Sequence, residues 1–226
     1  MGVHSRTEHR FRCHHCRKTF TETRHTPFFG LKYEHHLVVI VLTLLMFGCP
    51  IPAIVMAFKL DERTIADWLD KAGEHAQRVQ EHLVCQGRLD LGQVQADELW
   101  CRSQQGVLWL ATAMSVTSRL LIWGRVATGR TEAMIDDVVR HVHRAARLQS
   151  PLLWATDGFS SWKTRILHHF RVKVENGRRG RPRLVEWAEL HIAQLVKRTY
   201  GEHIERRLAF GDLFEALHMI EQSQGK

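Results

Sequence analysis

The chain has 226 residues, of which 44% are hydrophobic and 25% are charged, as in an ordinary globular protein that can bury a core. This length suits one large domain or two small ones with a linker. The 32 basic and 24 acidic residues give a net charge of +8, which favours nucleic acid or an anionic membrane as a partner. Five cysteines with a single close pair, and no predicted signal peptide, exclude a disulfide scaffold and indicate a reducing cytoplasmic compartment.

The first segment, residues 1–33, is basic and rich in histidine. Cys13 and Cys16 have the CxxC spacing of a zinc knuckle, which supplies two of the four ligands that zinc requires. His4 or His9 would have to complete such a site. The alternative is a basic tail that carries two free thiols.

A long uncharged stretch between Leu37 and Phe58 imitates a membrane span. Gly48, Pro50 and Pro52 interrupt it in the middle, and neither half is long enough to cross a bilayer. The stretch therefore predicts two buried helices, and no membrane partner is expected.

Residues 34–75 are predicted to form a helical DNA-binding region. The pattern predicts a helix over 34–47 and a short helix over 53–58, followed by a turn with Asp61 as N-cap and a second helix over 63–71. Two short helices joined in this way are typical of the helix-turn-helix motif.

The second helix of such a motif enters the major groove, which would direct Arg63, Thr64 and Asp67 toward DNA. An ordinary helical hairpin is the alternative interpretation. Residues 76–90 are predicted to be a helical linker.

Residues 91–226 are predicted to be a mixed α/β domain. The predicted elements are strands over 94–100, 107–115 and 120–127, a helix capped by Thr131, a strand over 152–156, a helix over 160–168 and a strand over 170–175. Three antiparallel strands, a helix, a strand, a helix and a strand follow one another in the ribonuclease-H-like fold. We therefore expect a mixed sheet with flanking helices.

Two aspartates lie at the ends of strands that would be neighbours in this sheet. Asp97 belongs to the first strand and Asp157 ends the fourth. A buried carboxylate is costly without a partner, and two of them together suit a hard divalent cation. Taken singly, each could be an ordinary surface or turn aspartate. A two-metal phosphoryl-transfer site needs a third acid from a late helix. The candidates are Glu186, Glu189, Glu202 and Glu205.

Four short motifs occur in a defined order along the chain. They are Cys13–Thr19 (CHHCRKT), Asp97–Trp100 (DELW), Trp154–Phe159 (WATDGF), and Lys197–Tyr200 (KRTY) with Ile204–Arg206 (IER). In this order they resemble the DDE transposases of the insertion-sequence-one family. That family places a zinc ribbon and a helix-turn-helix in front of a catalytic domain, and the resemblance covers residues 10 to 210.

The resemblance implies that Asp97, Asp157 and Glu205 hold catalytic Mg²⁺ or Mn²⁺, with Glu98 as the alternative first acid. Cys13 and Cys16 would be the remaining half of a zinc ribbon whose first half is missing. The gap between the second and third acids is also longer than the family pattern.

Basic residues after the second acid are predicted to contact the DNA backbone. They are Arg178, Arg179, Arg181, Arg183, Lys197 and Arg198. A flexible charged loop is the alternative for the arginines. The seven tryptophans are predicted to lie mostly in the core, and stacking on an extruded base is left as an open alternative for Trp162.

The function implied by the resemblance is transposition. Such a protein binds the terminal inverted repeats of an insertion sequence, cuts a phosphodiester and joins the freed 3′ end to target DNA. Because two ends must be joined, we expect a homodimer or a larger synaptic assembly at the nucleoid. Two alternatives stay open: a DNA-binding regulatory copy without catalysis, and a ribonuclease-H-like nuclease that acts on a DNA–RNA hybrid.

Overall fold

The computed structural model describes residues 10–103, 106–174, 182–197 and 204–224. The chain divides into two compact units, with the boundary between Val79 and Gln80. Throughout the described residues, every helix is too short or too polar to cross a membrane.

A β-hairpin opens the first unit. Strand β1 (Arg10–Arg12) pairs antiparallel with β2 (Thr19–Thr21), and the turn between them contains Cys13 and Cys16. Arg17 adopts a left-handed conformation (φ 57°) and donates its amide to the carbonyl of Cys13 at 2.9 Å. This closed turn brings the two cysteines to one end of the hairpin.

Helices form the rest of the first unit. They are α1 (His35–Met46), α2 (Ile51–Phe58) and α3 (Glu62–Leu83), of which α3 continues past the boundary after Val79. Their small core consists of Val38, Val41, Ile54, Leu60, Ile65 and Trp68. The break predicted around Gly48 is confirmed, because α1 ends before it and α2 starts after it. Helix α2 begins two residues earlier than predicted, since proline is tolerated in a first turn.

The prediction that both apolar helices are buried is only partly right. Met46, Phe47 and Met56 each have at least 84% of their surface exposed. Only one face of each helix contacts the core of the unit.

Helix α3 starts as predicted but extends further. The carboxylate of Asp61 accepts a hydrogen bond from the amide of Arg63 at 2.9 Å, which confirms the N-cap. The predicted end near Lys71 is wrong, because the helix continues to Leu83. Gly73 costs a helix only about 1 kcal/mol relative to alanine, so it does not stop this one.

The second unit is built on a six-stranded mixed sheet. Along the chain, its elements are β3 (Gly92–Ser103), β4 (Gly106–Ser115), β5 (Leu121–Ala127), α4 (Glu132–Ala145), β6 (Leu152–Asp157), α5 (Ser160–His169), β7 (Arg171–Val174), β8 (Arg183–Glu186), β9 (Leu190–Lys197), β10 (Ile204–Phe210) and α6 (Leu213–Gln224). The strand order in space is β10-β9-β6-β3-β4-β5.

The pairing confirms the predicted meander and the predicted crossover. Strands β3, β4 and β5 are antiparallel to one another, and β6 returns beside β3 in the parallel direction. Strand β9 then adds parallel to β6, and β10 adds antiparallel to β9. Strands β3 and β6, the predicted first and fourth strands of the sheet, are therefore neighbours, as the positions of the two aspartates require.

The predicted fifth strand of the sheet is wrong. Residues Arg171–Val174 do form a strand, but they pair with Arg183–Glu186 in a separate hairpin. The fifth strand of the sheet is β9, over residues for which no strand was predicted. Leu190, His191 and Ile192 are all buried, and consecutive buried residues on a parallel strand give no alternation from which a strand could be predicted.

Helices α4 and α5 pack on the sheet and close its core. The hydroxyl of Thr131 accepts a hydrogen bond from the amide of Met134 at 3.3 Å, so the predicted cap of α4 is confirmed. The ring of Trp162 on α5 is fully buried and lies 6.4 Å from that of Trp154, centroid to centroid. Trp162 is therefore a core residue, and the open alternative of stacking on a base does not fit its burial.

Candidate metal and strand-cleavage site

The register of the central ladder places Asp97 and Asp157 side by side. Strands β3 and β6 pair from Gly92 with Leu152 to Gln95 with Ala155, always with the same offset in sequence. That offset also separates Asp97 from Asp157. Two residues beyond the last pair, the two aspartates are therefore level with each other, with Asp157 at the carboxyl end of β6 and Asp97 midway along β3.

A third carboxylate joins them. Oxygen atoms of Asp97, Glu98 and Asp157 all lie within 4.8 Å of one another, and no other such group of potential metal ligands occurs in the described part of the chain. All three side chains line an open cleft of about 950 Å³. Three carboxylates at this separation repel one another unless a cation lies among them.

Glu98 carries the clearest sign that the acidic group could hold a metal ion. Its side chain is fully buried, and its Oε1 accepts a hydrogen bond from Arg130 at 3.0 Å. Its Oε2 is also buried and has no hydrogen-bond partner. A buried, unpaired carboxylate oxygen costs free energy that a divalent cation would recover, so the donor set fits Mg²⁺ or Mn²⁺.

Local hydrogen bonds orient the two aspartates. The Oδ1 of Asp157 accepts the amide of Phe159 at 2.9 Å, and the Oδ1 of Asp97 accepts the amide of Glu98 at 2.8 Å. Gly158 lies close to β9, since a Cβ there would be 3.1 Å from the side chain of Val196. Because the Oδ1 of Asp157 accepts from Phe159, its Oδ2 is left for Arg130 or a cation.

Arg130 neutralises part of this charge. Its Nη2 donates to Asp157 Oδ2 at 2.8 Å, while its Nε donates to Glu98. The guanidinium lies 3.9 Å from the ring centre of Phe159 and 5.5 Å from that of Trp109. Burial lowers the pKa of Arg130, but the hydrogen bonds and charges of Glu98 and Asp157 outweigh burial, so its pKa lies above the usual value.

The structure does not place Glu205 with the other acids. Glu205 lies on β10, opposite Val196, whereas a late helix was predicted there. Strand β9 separates it from β6, a distance of about 10 Å between backbones. The described residue that completes the acidic group is Glu98, the alternative first acid in the sequence pattern. Glu186 pairs with Arg171 at 3.1 Å, Glu189 is exposed in the turn before β9, and Glu202 lies outside the described residues.

The predicted DNA contacts fall into two groups. On α3, Arg63 and Asp67 are exposed, Thr64 is half-buried, and Asp67 pairs with Lys71 at 2.8 Å. Their contact with DNA stays a prediction. Arg183 is exposed at the start of β8, and Lys197 ends β9. Arg178, Arg179, Arg181 and Arg198 lie outside the described residues.

The cysteine knuckle stays a prediction as a zinc site. Hydrogen bonds from the backbones of Cys16 and His15, and from the Cys16 thiol, lower the pKa of Cys13, which favours the thiolate that binds metal. His4 and His9, the predicted further ligands, lie outside the described residues.

Arg130 was not predicted from the sequence. It precedes the capping residue of α4 and belongs to none of the motifs, so only its contacts with Glu98 and Asp157 reveal it. By contrast, Glu98 was within reach of prediction, because it stands next to Asp97 in the DELW motif.

No protein-family model matches this chain, and no curated protein sequence matches it. The transposase resemblance therefore depends on the four motifs and their order.

Proposed function

We propose that this protein is a DNA transposase whose second unit is a ribonuclease-H-like catalytic domain. The observation that carries the proposal is the group of Asp97, Glu98 and Asp157, which meet where the carboxyl end of β6 lies beside the middle of the neighbouring parallel strand β3. Strands β3, β4, β5, β6 and β9 follow the strand order of that fold, and β10 is an addition at its edge. The motif order from Cys13 to Arg206 supports the same assignment.

The three carboxylates hold divalent cations in this proposal, with Glu98 in place of Glu205 as the third acid. Bound Mg²⁺ or Mn²⁺ supplies a Lewis acid that activates a water or a 3′-hydroxyl and neutralises the leaving oxygen. The chain's own contribution is to fix the acids: the β3–β6 register aligns Asp97 with Asp157, and burial holds Glu98 beside them. No covalent link between protein and DNA is required.

Double-stranded DNA is the proposed substrate, both as the ends of the mobile element and as the target. The net charge of +8 attracts a polyanion, and the exposed Arg63 on α3 suits a groove or backbone contact. Joining two ends calls for at least two copies of the chain in one assembly.

The test is strand cleavage and joining by the purified full chain. The substrate is a supercoiled plasmid that carries the DNA flanking this protein's own gene, incubated with Mg²⁺, with Mn²⁺ or with EDTA. Cleavage and joining by the wild type should require metal. Asp157→Asn and Glu98→Gln should each lose at least about 10²-fold in rate, the usual cost of removing a group that stabilises the transition state.

Two further variants sharpen the result. Glu205→Gln should retain activity, because Glu205 lies on β10 outside the acidic group. Asp136→Asn is the matched control, since its carboxylate is 33% exposed against 37% for Asp157 but pairs with Arg165 and His169 instead. Metal-independent DNA binding without cleavage by the wild type would support the regulatory alternative and overturn the proposal. Cleavage of a DNA–RNA hybrid alone would favour a nuclease.

A further inference from the structure

The guanidinium of Arg130 pairs with two of the three carboxylates at which a metal ion is expected. It donates to one oxygen of Glu98 and to one oxygen of Asp157, at 3.0 and 2.8 Å. These are two of the three carboxylates that the proposed metal requires. A guanidinium and a divalent ion held by the same carboxylates would repel each other at contact distance.

Arg130 has a second support that does not depend on the acids. Its guanidinium stacks against Phe159 at 3.9 Å from the ring centre, and Trp109 lies on another side. These rings can retain the cation after its ion pairs break. The backbone at Arg130 is held in place, because the next residue, Thr131, caps helix α4. The side chain can therefore exchange partners without leaving the rim of the cleft.

A phosphodiester is a suitable new partner. The side chain of Arg130 is 33% exposed, so one part of it faces solvent. Once a metal takes the carboxylates, the N–H groups that pointed to Glu98 and Asp157 need other acceptors. A guanidinium presents such donors in a fork that matches two phosphate oxygens.

We infer that Arg130 is a positioning residue that exchanges between two partners: the acidic group in the metal-free protein, and a DNA phosphate once metal is bound. Bound metal then raises the affinity for DNA, and bound DNA raises the affinity for metal by the same factor. The part of the inference that concerns DNA rests on the proposed function. The competition between Arg130 and metal does not.

The first experiment measures Mn²⁺ binding by the full chain without DNA, by electron paramagnetic resonance. Arg130→Gln removes the competitor and should bind Mn²⁺ at least about tenfold more tightly than the wild type, as expected for the loss of a charge-assisted hydrogen bond. Arg171→Gln is the matched control. It also removes one arginine whose Nε pairs with a glutamate, with 34% of its side chain exposed. Its affinity for Mn²⁺ should equal that of the wild type.

A second measurement uses the wild type alone and so does not depend on the folding of a variant. The Nε–H resonance of Arg130 should shift when Mg²⁺ is added, because the bound cation repels the guanidinium and weakens its hydrogen bond to Glu98. The corresponding resonance of Arg171 should stay in place. Three outcomes would overturn the inference. Folded Arg130→Gln could bind Mn²⁺ no more tightly than the wild type, or neither protein could bind Mn²⁺. The Arg130 resonance could also stay in place at saturating Mg²⁺.

The third experiment adds a short duplex DNA to the Mn²⁺ titration. The duplex should raise the Mn²⁺ affinity of the wild type and leave that of Arg130→Gln unchanged. An equal increase in both proteins, or none in the wild type, would contradict the exchange onto phosphate. A wild-type protein that binds metal and DNA cooperatively but cuts no DNA strand would contradict the proposed function and leave the inference about Arg130 intact.

Discussion

Neutralising Glu98 should leave the metal-free protein almost as stable as the wild type, whereas neutralising Arg130 should destabilise it. The two residues form one ion pair, so a simple count of contacts would predict equal losses. The difference arises because Glu98 also lies within 4.8 Å of two other carboxylates.

The magnitudes follow from the distances. At an effective dielectric constant of about 20, the attraction between Glu98 and Arg130 at 3.0 Å is worth roughly 5.5 kcal/mol. The repulsion from Asp157 is at least roughly 3.5 kcal/mol, its value at 4.8 Å, and that from the solvent-exposed Asp97 is roughly half as large. The repulsions about equal the attraction, so Glu98→Gln should change the free energy of unfolding by less than about 1 kcal/mol.

Arg130 attracts both Glu98 and Asp157, and its removal leaves the negative charge of the three carboxylates without the positive charge of the guanidinium. Breaking such a partly buried pair from the cationic side should cost about 2–4 kcal/mol, with allowance for its solvent exposure. For a chain of this length the melting temperature should fall by about 5–10 °C.

The assay is thermal and urea unfolding in EDTA of wild type, Glu98→Gln and Arg130→Gln. The pair Arg171–Glu186, at 3.1 Å in the β7–β8 hairpin, provides the control. Neutralising either of its members should lower stability by less than about 1 kcal/mol. Equal destabilisation by Glu98→Gln and Arg130→Gln would refute the reasoning, because it would mean that the three acids do not repel one another.

Three other predictions concern the rest of the molecule. Gly211→Ala should destabilise the protein by about 2 kcal/mol or more in thermal unfolding, because Gly211 has φ +97° and a Cβ there would overlap the ring of His191 and lie 2.7 Å from the carbonyl oxygen of Leu190. Burial raises the pKa of Asp136, but its bonds to His169 and Arg165 outweigh burial and lower its pKa below the usual value. The stabilisation by Asp136 is therefore present above its unfolded pKa of about 3.9 and is lost as the pH falls through its folded pKa. The stability gap between wild type and Asp136→Asn in urea should accordingly narrow from pH 7 to about pH 3. Zinc bound to the purified chain, measured by mass spectrometry, should be lost in Cys13→Ser and kept in Cys101→Ser, whose exposed cysteine lies on β3 outside the knuckle.

Much of the sheet could be predicted because its local signals agree with one another. The strands that became β3, β4, β5 and β6 showed apolar patterns bounded by turn residues, and Thr131 marked the start of the intervening helix. A strand that returns after a crossover helix lies parallel to an earlier strand, so the adjacency of Asp97 and Asp157 followed.

Strand β9 and the third acid could not be predicted for physical reasons. Leu190, His191 and Ile192 are buried on both faces of a parallel strand, a pattern that resembles part of a buried helix. With β9 misplaced, Glu205 was expected on a helix near the acids and not on the outermost strand. The contact between Arg130 and Glu98 joins residues far apart in sequence, and no local pattern encodes such a contact.

The parallel ladder from Gly92–Leu152 to Gln95–Ala155 also determines which changes in chain length the protein can tolerate. The distance between Asp97 and Asp157 depends on backbone pairing in these few residues and not on the number of residues that connect the strands. Insertions in the connection after α4 should therefore leave the acids aligned. A single residue inserted between Gln95 and Asp97 would turn Asp97 to the opposite face of the sheet, and the acidic group would be lost although every acid remained in the sequence.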